Sequence, residues 1–325
     1  MKFSVVTPVY NREDCVSRCI ESVLRQTMLK TNSGGVELVL VDDGSTDLTP
    51  KICAGYAKNN AFVRFIKLPQ NQGTNAARNT AIKAATGDYI VILDSDDYFV
   101  DDALEQISST VLAHSEYKHF MFAPDDVSYN DSFFNNCQSK ILTYEDFLKG
   151  SVKTGFIHCI ATETMRKHPF DEQVRIHEGV FFLSFYKEAQ KMLFANKIVT
   201  IRERGRADSV TLDCVRSNKT LIERATKANE MMLERFGSDF KKYNCVGMLR
   251  YIYGYLYDNY LLLSQYEKMR KLDGIYDELY NGCKPHSKKM TALNVIKSLR
   301  LGEAYRLFLQ FYLLLKYKLF KYKIK

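Results

Sequence analysis

The chain contains no Cys-x-x-Cys pair. Its eight cysteines stand apart at 15, 19, 53, 137, 159, 214, 245 and 283, several of them in apolar-periodic segments. Scattered thiols of this kind fit buried, reduced side chains rather than a disulfide framework or a zinc site. Long apolar runs are missing too. The longest late one, LFLQFYLLL (307–315), is interrupted by Gln310 and flanked by Arg306 and Lys316, short of the roughly 20 residues of a spanning helix. The opening MKFSVVTPVYN has too brief an apolar part for a signal peptide and meets Pro8 at once. A cytoplasmic protein without a transmembrane segment is expected. The sequence also lacks G-x-G-x-x-G and G-x-x-x-x-G-K-[ST], so neither a dinucleotide fold nor a P-loop ATPase is supported. Internal repeats and low-complexity linkers are absent.

What is present is a core-forming composition, 46% hydrophobic and 26% charged over 325 residues, enough for one large domain or one domain with an appendage. The net charge of +8 is uneven. Residues 284–325 hold eleven Lys/Arg and one acid, Glu303, giving 11 − 1 = +10 and leaving 8 − 10 = −2 for residues 1–283. The body is near neutral and the tail strongly basic.

Apolar patterning predicts strands at 3–10, 36–41, 62–68 and 89–93. Helices are predicted at 12–27, after Thr49-Pro50, and from the Gly73 turn to Gly87. Alternating strands and helices imply an α/β fold with a mostly parallel sheet covered on both faces, and ligands beyond the carboxyl ends of the strands. Periodicity weakens over 101–175. After about 215 the pattern is helical, over 218–236 and then 243–272.

Three polar clusters follow predicted strand ends. In ILDSDD, Asp94 and Asp96 are one residue apart. Converging carboxylates repel and raise each other's pKa unless a hard divalent cation such as Mg²⁺ or Mn²⁺ neutralises them. The same string also reads as a solvated acidic turn capping the next helix. In VDDGSTD, Gly44 permits a tight turn and Asp47 suits helix capping. Asp42 and Asp43 stand where a Rossmann-like sheet places an acid facing a nucleoside. In NQGTNAARN, Gly73 opens a helix start suited to phosphate, with Arg78 one turn inside.

The ordered set TPVYN, VDDGSTD, NQGTNAARN and ILDSDD resembles the family 2 glycosyltransferases, which have the GT-A fold. PFDEQVRIHEGVFF (169–182) is similar to that family's F-D-E stretch and its E-D-x-x-F motif. RGRADSVT (204–211) is similar to its R-x-x-x-S-x-T loop. The resemblance, over residues 5–211, implies a GT-A domain at 1–215, with a nucleotide-binding half (1–100) and an acceptor-binding half (101–215). A helical region (216–283) and a basic amphipathic tail (284–325) complete the division. It implies a UDP-sugar donor and inverting transfer to a hydroxyl of a glycan or lipid-linked acceptor in cell-surface polysaccharide biosynthesis. Carried onto this chain, Thr7, Pro8 and Tyr10 would line the uridine pocket. Asp43 would accept from the uracil ring with Asp42 in support, and Arg78 would lie near the diphosphate. Asp94 and Ser95 would belong to the nucleotide-sugar site, Asp94 approaching the ribose, and Asp96 would ligate Mn²⁺ or Mg²⁺.

The E-D-x-x-F motif departs from the family pattern. It reads HEGVF at 177–181, placing Glu178 where the family has its base Asp and His177 where it has Glu. Glu178 is the expected base, one methylene longer. Asp171 and Glu172 are fallbacks that otherwise shape the turn, and His177 is either a satisfied loop histidine or an acceptor contact. The tail, with aliphatic and aromatic residues interleaved with cations, suits the inner membrane surface, or alternatively a bundle helix or homo-oligomer contact. Nucleic acid is not expected, since the charge is confined to the tail. Two rival functions remain. A sugar nucleotidylyltransferase would need glycines after the first strand, which TPVYNRED lacks. A non-catalytic sugar-nucleotide-binding or scaffold protein would share the fold.

Overall fold

The computed structural model describes every residue except 31–34, 130, 153–154, 175–176, 204–217, 280–298 and 310–325. The chain divides into two units, Met1–Gly205 and Arg206–Lys325. The boundary read from periodicity, at 215, lies outside the described residues.

The first unit begins with strands β1 (Lys2–Val9), β2 (Gly35–Asp42), β3 (Val63–Lys67) and β4 (Tyr89–Ile92), side by side and parallel in the order β3-β2-β1-β4. β1 and β2 are buried along seven of their eight residues each, as expected for strands covered on both faces. Between these strands run α1 (Val16–Leu24), the short α2 (Thr27–Lys30), α3 (Thr49–Asn59) and α4 (Thr74–Ala84). α1 buries Val16, Cys19, Ile20 and Val23 at helical spacing. Pro50 sits in the first turn of α3, where its missing N–H costs nothing. Phe3, Val5, Leu38, Leu40, Val91 and Ile20 belong to one core cluster on this sheet.

The remaining elements of the unit are β5 (Tyr98–Phe99), α5 (Ala103–Ala113), β6 (His119–Pro124), β7 (Ser139–Thr143), α6 (Tyr144–Leu148), β8 (Ile157–Ala161), α7 (Thr162–Lys167), α8 (Gly179–Ala189) and β9 (Lys191–Ile201). They extend the same sheet instead of forming another; among the described residues it has nine strands, eight in the path β3-β2-β1-β4-β8-β6-β9-β5 and β7 paired to β9. β8 enters antiparallel between β4 and β6, and β6 runs parallel to β9. The sheet is thus parallel through its first half and mixed in its second.

The second unit contains α9 (Lys219–Lys242), α10 (Val246–Leu262) and α11 (Tyr266–Leu279), with a further helical stretch at 302–309. Asn218 caps α9 by accepting from the N–H groups of Thr220 and Leu221. The single helix predicted over 243–272 is two helices. The chain turns at Ser264, which has φ +57, and Gln265 N–H closes the end of α10 on Tyr260 O at 2.8 Å. The apolar period runs through this corner unbroken, so periodicity alone does not reveal it. Most of the basic tail lies outside the described residues. Among those described, no helix is long and apolar enough to cross a membrane, and Cys15, Cys19, Cys53, Cys137, Cys159 and Cys245 are free thiols.

Candidate active site

β1, β2 and β4 are parallel and point their carboxyl ends to one edge: β1 and β2 end side by side at Val9 and Asp42, and β4 ends at Ile92 beside Val6. Their following loops are laced to one another. Asn11, at φ +49, accepts from Thr46 N–H at 2.9 Å, while its own N–H donates to Ser45 Oγ at 2.9 Å. Arg12 N–H donates to Thr49 Oγ1 at 2.7 Å and Glu13 N–H to Asp47. Asp47 also accepts from Thr49 N–H, the helix-start role read for it. Thr7 and Pro8 are buried, Thr7 with no hydrogen-bond partner for its hydroxyl, whereas Tyr10 is 38% exposed.

Asp42 and Asp43 are both buried. Asp42 accepts from Ser45 N–H and shapes the turn. The two oxygens of Asp43 accept from the N–H groups of Gln72 and Gly73 at 2.7 and 2.8 Å. Asp43 therefore fastens the Gly73 turn, the start of α4, to the end of β2. Gly44 has φ +72, and a Cβ there would lie 2.6 Å from Asn71 N.

Arg78 is the buried centre of the site. One Nη donates to Asp94 Oδ1 at 3.0 Å, the other to the Glu178 carboxylate, and the guanidinium carbon lies 5.5 Å from the Phe170 ring centroid. Burial disfavours the charge, but Glu178 and then Asp94 outweigh it and hold the pKa above the ordinary arginine value. Nε has no hydrogen-bond partner. Arg78 thus joins the loop after β4 to Glu178, the residue before α8.

In that loop Asp94 is half exposed, Ser95 is buried, Asp96 is partly buried and Asp97 is 9% exposed. Burial, with the charge of Asp94 and then Asp96, pushes the Asp97 carboxyl up to about 7, although Glu203 N–H donates to it. Three carboxylates crowd this loop, one of them paired with Arg78. No group of three or more metal-ligating side chains is assembled among the described residues. The donor set suits a hard cation held by one or two carboxylates and completed by oxygens from a ligand.

Glu178 comes into place through residues that sequence reasoning missed. Asn75 Nδ2 donates to the carbonyls of Asp171 and Val174 at 2.8 and 2.7 Å. Asn79 donates to Phe170 O and accepts from Phe170 N–H, both at 2.8 Å. These asparagines, one helical turn apart on α4, dock the segment 170–174 beside Arg78. Two amides inside an Ala-rich helix, where Asn has poor propensity, were the available signal. Glu172 accepts from Asn79, and Asp171 accepts from Gln173 N–H, so both shape this turn. His177 is partly buried, which lowers its pKa. The loop 204–211 lies outside the described residues.

The glycosyl transferase family 2 model matches residues 4–174, just over half of the chain. EpsJ of Bacillus subtilis, an uncharacterized glycosyltransferase, is 31% identical over 211 residues, covering 58% of this chain and 57% of that protein. The chain spans 30% and 57% of the lengths of two curated relatives it matches. Two solved structures share the fold. TarS 1–349 of S. aureus in complex with UDP-GlcNAc has TM-score 0.57 at 22% identity, covering 72% of this chain and 67% of that one. The mannosyltransferase PcManGT of Pyrobaculum calidifontis, in complex with GDP-Man and Mn²⁺, has TM-score 0.54 at 16% identity, covering 95% and 83%. Parallel strand ends, laced loops and the family match lead to one conclusion: the chain belongs to glycosyl transferase family 2 and has the GT-A fold.

Proposed function

We propose that this protein is an inverting, metal-assisted glycosyltransferase that moves a hexosyl or N-acetylhexosaminyl group from a UDP-sugar to a hydroxyl of a glycan or lipid-linked acceptor. Its place would be cell-surface polysaccharide biosynthesis. The observation that carries this reading is the contact of Arg78 with both Asp94 and Glu178, which puts a donor-side loop and a candidate base around one guanidinium. The strand-end surface formed by Thr7, Pro8, Tyr10, Asp42 and Asp43 would receive the uridine, with Tyr10 the exposed member. Asp94 and Ser95 would face the nucleotide sugar. Asp96 would hold Mn²⁺ or Mg²⁺ together with diphosphate oxygens. When bound, the cation would neutralise charge developing on the departing diphosphate.

The chain's own groups do the rest. Arg78 supplies positive charge on the same side without moving far. The carboxylate of Glu178 takes the proton from the attacking hydroxyl on the opposite face of the sugar, which inverts the anomeric centre. Its extra methylene over Asp extends its reach, so the acceptor hydroxyl sits further from the start of α8.

In this reading residues 1–100 would bind the nucleotide and residues 101–215 the acceptor. Residues 216–283 would be a helical accessory and 284–325 a membrane-surface tail at the cytoplasmic face. Leu299, Leu301, Leu307 and Phe308 are exposed, beside the net +10 of the tail, as a peripheral lipid contact requires. UDP release from a panel of UDP-sugars with Mn²⁺ tests the enzyme. If no donor is bound or hydrolysed with any metal, the reading fails, and a donor that binds without turnover would favour a non-catalytic binding protein.

A further inference from the structure

Three successive carbonyls of the acidic loop, those of Asp94, Ser95 and Asp96, accept hydrogen bonds from the beginning of one helix. Cys19 Sγ donates to Asp94 O at 3.6 Å, Cys15 Sγ to Ser95 O at 3.7 Å, and Arg18 Nη2 to Asp96 O at 3.2 Å. Residues 15, 18 and 19 share one helical face, so α1 presents a donor to each carbonyl in turn. The two thiols are weak donors, and burial raises the pKa of Cys19 well above that of a free thiol; it stays protonated and inert. Arg18 is the strong member and has further contacts. Its guanidinium lies over the Tyr98 ring, 4.6 Å from the centroid, and it is ion-paired with Glu203. Glu203 N–H in turn donates to Asp97 Oδ1 at 3.0 Å. Tyr98 pairs with Ile201 at the end of β9.

We infer that Arg18 is a positioning residue that aims Asp96 at the metal and couples the acidic loop to the chain leaving β9. One side chain touches the backbone of the proposed metal ligand, the aromatic ring just beyond it and a carboxylate whose own N–H clamps Asp97. The loop carries three carboxylates within four positions and would otherwise spread to relieve their repulsion. Arg18 opposes that spreading through the backbone carbonyl of Asp96. Through Glu203 it transmits the position of the segment entering residues 204–211 to the acidic loop. Arginine suits the task because its planar fork donates to two acceptors and stacks on a ring at once, which lysine cannot do. This inference rests on the reading of Asp96 as a metal ligand.

The test measures binding of UDP by calorimetry, with and without Mn²⁺, for the parent chain and for Arg18→Met, Arg18→Lys and Glu203→Gln. Mn²⁺-dependent UDP affinity should fall by roughly tenfold or more in Arg18→Met and Glu203→Gln, as for other residues that orient a metal ligand. UDP affinity without metal should stay at the parent value, and Arg18→Lys should recover part of the loss. The double variant Arg18→Met/Glu203→Gln should be little worse than either single one. In the metal-free protein, amide hydrogen exchange at 95–98 should accelerate in Arg18→Met while the strands keep their protection. If Arg18→Met does not fold, the partly exposed Glu203→Gln variant decides. Parent-like Mn²⁺·UDP binding in a folded Glu203→Gln or Arg18→Met variant overturns the proposal. Failure of the parent itself to bind UDP with Mn²⁺ overturns instead the glycosyltransferase reading on which it rests.

Discussion

Arg78 and Glu178 are 100 positions apart, yet their contact decides how the proposed base behaves. Glu178→Gln keeps the shape and removes the base, so turnover should fall by about 10²–10⁴-fold with UDP binding retained, as a kcat and calorimetry pair will show. Glu178→Asp shortens the arm, withdraws from Arg78, and should lower kcat less than the amide does. Arg78→Met leaves two carboxylates without their shared counter-charge. Stability should drop by about 1–3 kcal/mol in urea unfolding, a figure kept low because Asp94 and Glu178 are partly exposed. Glu178 as a candidate was legible in the sequence from HEGVF. Its partnership with Arg78 was not, because pairing of distant charges is set by tertiary packing and leaves no periodic trace. Likewise the sequence marks Asp42 and Asp43 as acids placed to face a nucleoside, but nothing local shows that Asp43 would engage the N–H groups of residues 72 and 73.

At the scale of elements, α4 organises the site. It begins at the turn held by Asp43, carries Arg78, and grips the 170–174 segment with Asn75 and Asn79. Asn79→Ala removes both hydrogen bonds to the Phe170 backbone and leaves a buried N–H and carbonyl unmet. About 2–3 kcal/mol of stability should be lost, together with a fall in kcat as Glu178 drifts, checked by urea titration and steady-state kinetics. Gly44→Ala demands φ near +72 and drives a methyl into the backbone of residues 70 and 71. At least about 2 kcal/mol should be lost and UDP affinity should weaken, because the displaced backbone leads to the Asp43–Gly73 clamp. A folded Gly44→Ala variant with parent-like UDP binding would contradict that coupling. The four parallel strands were readable within a residue or two because their apolar segments are bounded by polar, Gly or Pro residues. β5, of two residues, and β7, whose burial alternates poorly, were not. They owe their strand form to pairing with β9 and not to a pattern of their own.

For the molecule as a whole, an acid-sensitive pair is built into the sheet. His119 on β6 and His158 on β8 share a hydrogen bond at 3.0 Å, with His158 stacked on Phe182 and His119 on Tyr186, both of α8. Burial lowers both pKa values, that of His158 to about 3, and Arg202 nearby adds to the effect on His158. Depressed histidine pKa values mean stability that is present above about 6.5 and is lost as pH falls toward 3. His158 alone should cost on the order of 5 kcal/mol by pH 3, and His119 adds to it in the same direction. The variant His119→Phe/His158→Phe should show a flatter acid limb in pH-dependent thermal unfolding, and an unchanged limb would refute this role. The fold class was legible because a repeated strand-helix order leaves few topologies, whereas the mixed second half, with strands entering out of chain order, offered no such constraint.

β8 fills the place beside β4 that the first four strands alone would have to leave open. A fragment ending near residue 100 would expose the flank of Tyr89–Ile92 as a row of unsatisfied amides and carbonyls, ready to pair with another chain. Chimeras that graft another second half onto these first hundred residues must therefore supply an antiparallel strand cut to the length of Tyr89–Val91, or the hybrid will clump.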